Sequence, residues 1–385
     1  MLVPYIAVHG GAGFHSMKYE KEIKGALRRY DRSCTFSDAP SNQLPSVGWS
    51  RHNSPNASLS MVENAICVLE DVEHLNAGYG SNLTIEGSVE CDASVMCAQG
   101  RHFGSAGAVS GIKNPIRLAR CILDYSRIPN RFGRVAPLTL VSDGAYKFVT
   151  NAGGIETVLP EALVSPTAQA LWEKWKAQLD APQDVTNDIA DEDDPETSLQ
   201  NIQDTVGSVA FHPVAGMAAG VSRFWGLLMK YPGRVGEAAI FGAGCWATQV
   251  PSGFEGMACS ISGTGEHIIR ENLAAKLGSA MAPSKAADGK QVDTDPHEIL
   301  SRVLHEFWES CRERGVENPA VGVLLLVSED ESFVRLWCGF TTASMAIGYA
   351  SSESGKPKAF ILRHPNYKAR ASDKPQISVT SLSLT

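Results

Sequence analysis

The stretch QDTVGSVAFHPVAGMAAG, from Gln203 to Gly220, decides how the rest of the chain is interpreted. Two runs of small and apolar residues, at 205–212 and 217–222, flank a turn that contains proline and glycine, and this pattern predicts a β-hairpin. The preceding residues 180–204 are acidic and poor in aromatic residues, which is typical of a flexible linker. The change from linker to strand therefore marks either the start of a second domain or a new chain end at Thr205.

A threonine at the start of a chain can act as a complete catalytic group. Its hydroxyl is the nucleophile, and its own α-amine, with a pKa of roughly 7.7–8.0 in model peptides, can serve as the base. Thr205 reaches that state only if the Asp204–Thr205 bond is cut, and a flexible linker would let the severed end move away. We therefore predict autocleavage between Asp204 and Thr205, with Thr205 as the nucleophile.

Composition limits the classes of function. The chain has 385 residues, a formal net charge of −8 and 43% hydrophobic residues, which is ordinary for a globular protein. No basic run indicates nucleic acid or an anionic membrane as a partner, and no long apolar run predicts a membrane span. The nine cysteines, an odd number at irregular spacings, indicate reduced thiols in the cytoplasm or the nucleus. Neither a CxxC pair nor an HExxH motif is present, so we expect no metal and no cofactor for catalysis.

The order of predicted elements indicates an α+β fold. Each half of the chain runs from strands to helices and back to strands, which favours stacked sheets with helices outside. Residues 32–60 are rich in serine, proline and asparagine and are predicted to be an irregular insertion. Residues 1–204 and 205–385 are expected to form two parts of one catalytic domain.

The first predicted strand leads into a glycine loop, His9 to Gly13. The loop lacks the features of a phosphate loop and of a dinucleotide site, so on its own it indicates only a tight turn. His9 is interpreted either as part of a site or as a hydrogen-bonded core histidine. No GxSxG motif and no Ser/His/Asp arrangement stands out elsewhere.

The order of several short motifs resembles one known family. The chain is similar to the threonine aspartase (taspase) branch of the type-2 asparaginases, which are N-terminal-nucleophile hydrolases, from Val8 to about Ser352. The motifs are VHGGAGFHS, LNAGYGSNL, VECDASVM, SGIKNPI, DTVGSV, YPGRVGEAAIFGAGCWA, SGTGEHIIR and TTASMAIGYAS. The resemblance implies a four-layer αββα sandwich, autoprocessed into two chains. These chains would stay together as an αβ heterodimer or as a dimer of heterodimers.

The resemblance also implies roles for individual residues. Arg234 would bind the substrate carboxylate, a task that suits the planar, always charged guanidinium, although a surface ion pair is the alternative. The loop that would hold substrate and help to stabilise the oxyanion runs from Ser262 through Gly263, Thr264 and Gly265 to Glu266. Ordinary capping of the helix that follows is the alternative for this segment.

Two further parts of the site are implied by resemblance alone. Gly11 of the first glycine loop and Asn76 of the segment Asn76-Ala77-Gly78 are expected near the substrate. The backbone just before Asn76 resembles a sodium-binding loop, so a structural sodium ion is possible.

The chain departs from the family beside the predicted nucleophile. Ser222 stands where a supporting hydroxyl is expected, but Arg223, Phe224 and Trp225 follow where the family has small residues. Three bulky side chains in a site that must admit a peptide could impair the enzyme. Glu237 stands where family asparaginases have an aspartate that holds the substrate α-amine.

Three functions remain open from the sequence. The leading hypothesis is a threonine endopeptidase that cuts protein substrates after aspartate, with Thr205, Ser222 and Ser262 as catalytic residues. The alternative is an L-asparaginase or β-aspartyl peptidase. The third is a non-enzymatic protein, impaired by the residues from Ser222 to Trp225.

Overall fold

A computed structural model defines the fold of most of the chain. It describes residues 3–29, 54–181, 205–223, 229–250, 255–282, 284–285, 291–292, 295–328, 333–354, 356–365, 367 and 374–384. The predicted cleavage residue Asp204, the bulky Phe224 and Trp225, and most of the predicted linker and insertion lie outside the described residues.

The described elements include eight α-helices and fifteen strands. The helices are α1 Glu20–Arg29, α2 Ala57–Glu70, α3 Pro115–Ser126, α4 Ser142–Ala152, α5 Pro166–Leu179, α6 Gly265–Glu271, α7 Leu273–Ala280 and α8 Pro296–Glu313. The strands are β1 Tyr5–Gly13, β2 Cys91–Cys97, β3 His102–Val109, β4 Thr139–Val141, β5 Val206–His212, β6 Gly216–Arg223, β7 Cys245–Gln249, β8 Gly256–Gly263, β9 Ser284–Lys285, β10 Gln291–Val292, β11 Val321–Ser328, β12 Val334–Phe340, β13 Ser344–Ser351, β14 Lys358–Arg363 and β15 Ser378–Leu382.

The larger sheet has eight strands in the order β14-β13-β1-β5-β6-β2-β3-β4. The hairpin predicted from the sequence is confirmed as β5 and β6, and the register pairs Val206 with Ser222. β5 also pairs antiparallel with β1, so a strand from the second half of the chain lies beside the first strand of the chain. The five-stranded sheet has the order β15-β12-β11-β8-β7, and β9 pairs with β10 separately.

The two large sheets face each other, and helices cover their outer faces. α1, α2 and α3 pack against the larger sheet, and α7 and α8 pack against the smaller one. Between the sheets lies an apolar layer that includes Val209, Phe211 and Leu324. Two further apolar layers, one under α1 to α3 and one under α7 and α8, complete the helix–sheet–sheet–helix order. The predicted α+β class is confirmed, whereas processing into two chains stays a prediction.

One boundary differs from the sequence prediction. Residues 32–60 were expected to be irregular, but α2 begins at Ala57, inside that range. Ser58 and Leu59 are buried, and the Ser58 hydroxyl donates to the backbone oxygen of Ala215, so tertiary contacts extend the helix towards its N-terminus. Among the described helices, none is long and apolar enough to cross a membrane.

Candidate active site

Thr205 lies immediately before β5, in the middle of the larger sheet. Its side chain is completely buried, and within the described residues its Oγ1 has no hydrogen-bond partner. A buried hydroxyl normally has a partner, because an unmade hydrogen bond costs about 1–3 kcal/mol. Thr205 Oγ1 is therefore an uncommitted nucleophile candidate inside the fold.

His9 holds the backbone of Thr205. Its Nδ1 lies 3.0 Å from the carbonyl oxygen of Thr205, and its Nε2 lies 2.9 Å from Oγ of Ser260. A carbonyl oxygen only accepts, so Nδ1 carries the proton and donates it. Burial lowers the pKa of His9 to about 3, and the imidazole is therefore neutral at physiological pH.

Ser260 extends this network to the second sheet. It lies on β8, and its Oγ is also 3.0 Å from the carbonyl oxygen of Gly220 on β6. The His9–Ser260 contact therefore ties both sheets together next to Thr205. A β-carbon on Gly207 would lie 2.0 Å from Ser260 Oγ and 2.4 Å from His9 Nε2, so only glycine fits at that position.

Ser222 faces away from the space between the sheets. It pairs with Val206, whose side chain packs in the apolar layer under α1 to α3, and directly opposed residues share a face. The Ser222 hydroxyl donates to Oε1 of the buried Glu70, 2.6 Å away. The structure therefore does not bring Ser222 to the Thr205 side of the sheet, where the resemblance implies a supporting hydroxyl.

Arg223, the last residue of β6, also faces the space between the sheets. Its guanidinium donates through Nη1 to the carboxylate of Glu237 and to the carbonyl oxygen of Gly263, the latter at 2.7 Å. The Arg223 and Glu237 side chains are 1% and 0% exposed. A carboxylate predicted to contact substrate is therefore already paired with a cation from the chain itself.

The segment from Lys230 to Arg234 is fixed against the residues that precede β2. The buried Lys230 ammonium donates to the backbone oxygens of Glu90 and Arg234, at 3.0 and 3.1 Å. The Glu90 carboxylate accepts from the backbone nitrogen of Gly233 at 2.8 Å. The backbone around Arg234 is thereby held in place.

Asp92 fixes the next part of the same segment. Its carboxylate accepts from the backbone nitrogens of Ala108 and Gly236, at 2.7 and 2.8 Å. Burial raises the pKa of Asp92 to about 6, against the lowering effects of Lys230 and of these hydrogen bonds. Glu237 follows directly and is positioned by this contact.

Arg234 itself forms an ion pair. Its Nε and Nη2 both lie 2.8 Å from Oε1 of Glu266, and the two side chains are partly exposed. Both nitrogens of one edge of the guanidinium therefore meet a carboxylate oxygen, which shows that this edge can receive an anion. Arg234 also remains accessible from solvent.

The first glycine loop contacts the segment predicted to hold substrate. Gly11 has a φ of +96°, at a bulge in β1, and the next residue Ala12 donates its backbone N–H to Oγ of Ser262 at 3.0 Å. Thr264 donates its N–H to the carbonyl oxygen of Ala320 and precedes Gly265, the buried first residue of α6. These contacts place Gly11 and Ser262 together between the sheets.

Asn76 lies in a separate loop after α2. Its Oδ1 accepts from the backbone nitrogen of Asn82 at 3.0 Å, so its described contact stabilises its own loop. In the same loop, three carbonyl oxygens converge beside Gly80. A β-carbon there would lie 2.1, 2.4 and 2.8 Å from the oxygens of Leu75, Val72 and Glu73. Oxygen ligands of this kind suit a hard cation, so the loop fits the sodium ion that the resemblance made possible.

Comparison with known proteins decides the family. A sequence profile described as Asparaginase matches residues 2–306. The chain belongs to the asparaginase family. It is 33% identical over 92% of its length to a bovine (Bos taurus) isoaspartyl peptidase/L-asparaginase, covering 94% of that protein. It is 33% identical over 73% of its length to a plant-type L-asparaginase of Pyrococcus horikoshii, covering 83% of it, and 30% identical over 92% to a mouse isoaspartyl peptidase/L-asparaginase, covering 90% of it.

The asparaginase-family site contains more than the sequence predicted. From the sequence, His9 is either part of a site or a core histidine, and no sequence signal connects it with Thr205. The serines Ser260 and Ser262 alternate along β8, and this period of two was a signal that both face the same side. No local pattern indicated that Arg223 pairs with Glu237, because the contact forms only when the chain after β6 folds back towards the end of that strand.

Proposed function

We propose that this asparaginase-family hydrolase uses Thr205 as an N-terminal nucleophile and hydrolyses amide bonds of aspartyl groups. Its main reaction is cleavage of the β-amide, as in an L-asparaginase or isoaspartyl peptidase. The buried Thr205 hydroxyl without a described partner, held through its carbonyl by His9, carries this proposal. The activities for which these relatives are named support the aspartyl substrate class.

Activation requires cleavage before Thr205. Oγ1 attacks the carbonyl carbon of Asp204, the peptide C–N bond breaks, and the released nitrogen takes the hydroxyl proton. Water then hydrolyses the ester between Asp204 and Oγ1, leaving a free carboxylate and a free threonine α-amine. His9 supports this step because its hydrogen bond restrains the Thr205 backbone while Oγ1 attacks.

Turnover uses the same oxygen. The α-amine accepts the Oγ1 proton as Oγ1 attacks the substrate amide carbon, and the proton passes to the leaving amine. Water hydrolyses the resulting aspartyl ester and restores Thr205. In this proposal Arg234 exchanges Glu266 for the substrate carboxylate, and the segment from Ser262 to Gly265 contacts the reacting group.

The first experiment combines processing with substrate choice. The purified chain is followed by intact mass and N-terminal sequencing, and then incubated with L-asparagine and with a β-aspartyl dipeptide. We expect a fragment that begins Thr205-Val206-Gly207 and release of ammonia or of the second amino acid. A full-length chain that hydrolyses neither compound would contradict the proposal and support the impaired, non-enzymatic alternative.

A second candidate is the endopeptidase that cuts after aspartate. One observation favours it: Glu237, which stands where family asparaginases hold a substrate α-amine, is already paired with Arg223. An aspartate inside a protein has no free α-amine and does not need that acceptor. The peptide SLQNIQDTVGSV, which copies residues 198–209, tests this reaction. Cleavage after its aspartate, with L-asparagine left intact, would favour the endopeptidase.

Two further roles belong to the proposal. We propose that the carbonyl oxygens of Val72, Glu73 and Leu75 hold a sodium ion that stabilises the loop after α2 and takes no part in bond cleavage. The proposed partners are small aspartyl substrates, or proteins with an aspartate at the cleavage site, and the processed halves of the chain itself.

A further inference from the structure

Arg223 stands directly across from the proposed nucleophile. The paired residues of β5 and β6 begin with Val206 and Ser222. Continuing the same antiparallel register by one residue places Thr205 opposite Arg223. Directly opposed residues of antiparallel strands have β-carbons about 5 Å apart and point to the same face. Arg223 follows the pattern of Ala219 and Val221, which face the space between the sheets.

Two acceptors from different segments converge on this one guanidinium nitrogen. Glu237 supplies a carboxylate and Gly263 a carbonyl oxygen, and both accept from Nη1 of Arg223. Gly263 has a φ of +145°, and a β-carbon there would lie 2.2 Å from the oxygen of Ala320, so its carbonyl direction is fixed by the local backbone. The acceptor pair therefore forms a rigid receptor for a cation.

The chain fills that receptor with its own side chain. Removing the cation would leave the Glu237 carboxylate buried and uncompensated, which is strongly destabilising. An incoming ammonium must therefore displace a tethered guanidinium or remain beside it as a like charge. Two like charges held close together repel more strongly in a water-excluded site than in water.

From this geometry we propose that Arg223 is a specificity residue that lowers the kcat/KM of substrates with a free α-ammonium on the aspartyl group relative to substrates whose α-nitrogen is acylated. The inference rests on the proposed function, because it assumes that substrate reaches Thr205. The protein then prefers aspartyl groups whose α-nitrogen is acylated, as in the interior of a peptide chain. Arg223 acts on substrate selection, whereas bond cleavage remains with Thr205.

The kinetic test uses processed protein and two substrates that differ only at the α-nitrogen. They are a β-aspartyl dipeptide and its Nα-acetylated counterpart, and the readout is the ratio of their kcat/KM values. The wild type should prefer the acetylated dipeptide by at least about tenfold, since a repulsion above about 1.4 kcal/mol is sufficient for that factor. Arg223→Ser, which opens the acceptor pair, should reverse the preference.

A second variant keeps the test informative if Arg223→Ser does not fold. Arg223→Met combined with Glu237→Gln removes both charges together at similar volume, so no buried charge is left alone. Its ratio should move close to one. A purely structural ion pair would leave the ratio of every folded variant at the wild-type value, and that result would overturn the proposal, as would a wild-type preference for the free amine.

Binding separates this inference from the proposed function. Thermal shifts of processed wild-type protein are measured with succinate and with L-aspartate, which share the two carboxylates and differ in the ammonium. Succinate should raise the melting temperature at lower concentration than L-aspartate does. Equal effects of the two, including none from either, would overturn the inference. Failure to hydrolyse both dipeptides, together with a clear preference for succinate, would count against the proposed function alone.

Discussion

At the scale of single residues, the position of Thr205 makes a simple prediction about processing. Thr205→Ala removes the only oxygen that can attack the Asp204 carbonyl from this residue, so we expect an uncut chain. Hydrolysis should fall by at least ~10³-fold, because the nucleophile cannot be replaced by its surroundings. Intact mass spectrometry reports the processing directly. Ser208→Ala, which removes a hydroxyl on β5 that donates a hydrogen bond to the Ala7 carbonyl on β1, is the matched control and should be processed normally. A fragment that begins at residue 205 in the alanine variant would show that another group performs the cut.

Arg234 makes a second prediction at this scale. A lysine cannot reproduce the two-nitrogen contact that Arg234 makes with one carboxylate, so Arg234→Lys should lower kcat/KM by about 10–100-fold, as expected for one lost charged hydrogen bond. Glu266→Gln should lower KM, because it weakens the ion pair that competes with the substrate carboxylate for Arg234. Steady-state kinetics of the two variants test the role together. Unchanged KM values in both would mean that Arg234 stabilises α6 through Glu266 and does not bind substrate.

Single residues also show what the sequence could and could not predict. The hairpin from 205 to 222 was predictable, because strand period and turn residues are local signals. The pairs His9–Thr205 and Arg223–Glu237 were not predictable. The partners are separated in sequence by 196 and 14 positions, respectively, and they meet only through the order of the strands and the path of a loop. Ser222 shows the limit of reasoning by proximity: it lies close to Thr205 in the hairpin, yet the two-residue period turns its side chain towards α2.

At the scale of secondary-structure elements, Glu70 joins three of them. It ends α2, accepts from the Ser222 hydroxyl on β6 and accepts from the Ile116 backbone nitrogen at the start of α3. Within the described residues its Oε2 has no partner. Burial raises its pKa to about 8, although both hydrogen bonds oppose the shift. The folded protein therefore favours the protonated carboxyl.

The raised pKa of Glu70 makes the stability of the folded protein depend on pH. Glu70 has a higher pKa in the folded state than its ordinary value of 4.5, so its contribution to stability is complete below about pH 4.5 and is lost as the pH rises towards 8. Each pH unit in this window costs about 1.4 kcal/mol at most. Glu70→Gln cannot ionise, so its free energy of unfolding relative to wild type should increase between pH 5 and pH 8, as measured by denaturant titration. Glu22→Gln, an exposed change on α1, is the control for surface charge. Parallel pH profiles for all three proteins would show that Glu70 is not protonated in the fold.

At the scale of the whole molecule, the sheet order predicts what happens after cleavage. β5 and β6, which follow the proposed cut, lie between β1 and β2, which precede it, and β13 pairs with the other side of β1. The apolar layer between the sheets also combines residues from both sides of position 204, including Ala7, Met96 and Phe211. Cutting one bond before Thr205 therefore removes no strand pairing and exposes none of this layer.

The two pieces should consequently remain one particle. After processing we expect two bands on a denaturing gel but a single peak in size-exclusion chromatography under native conditions, and separation only in denaturant. The physical reason is that parting the pieces would break the β1–β5 and β2–β6 ladders and expose both apolar faces, which resembles unfolding more than dissociation of a docked surface. The uncut Thr205→Ala chain is the reference for elution volume. If the processed pieces eluted separately in native buffer, residues 1–204 and 205–385 would have to form independent cores, which the interleaved strand order does not allow.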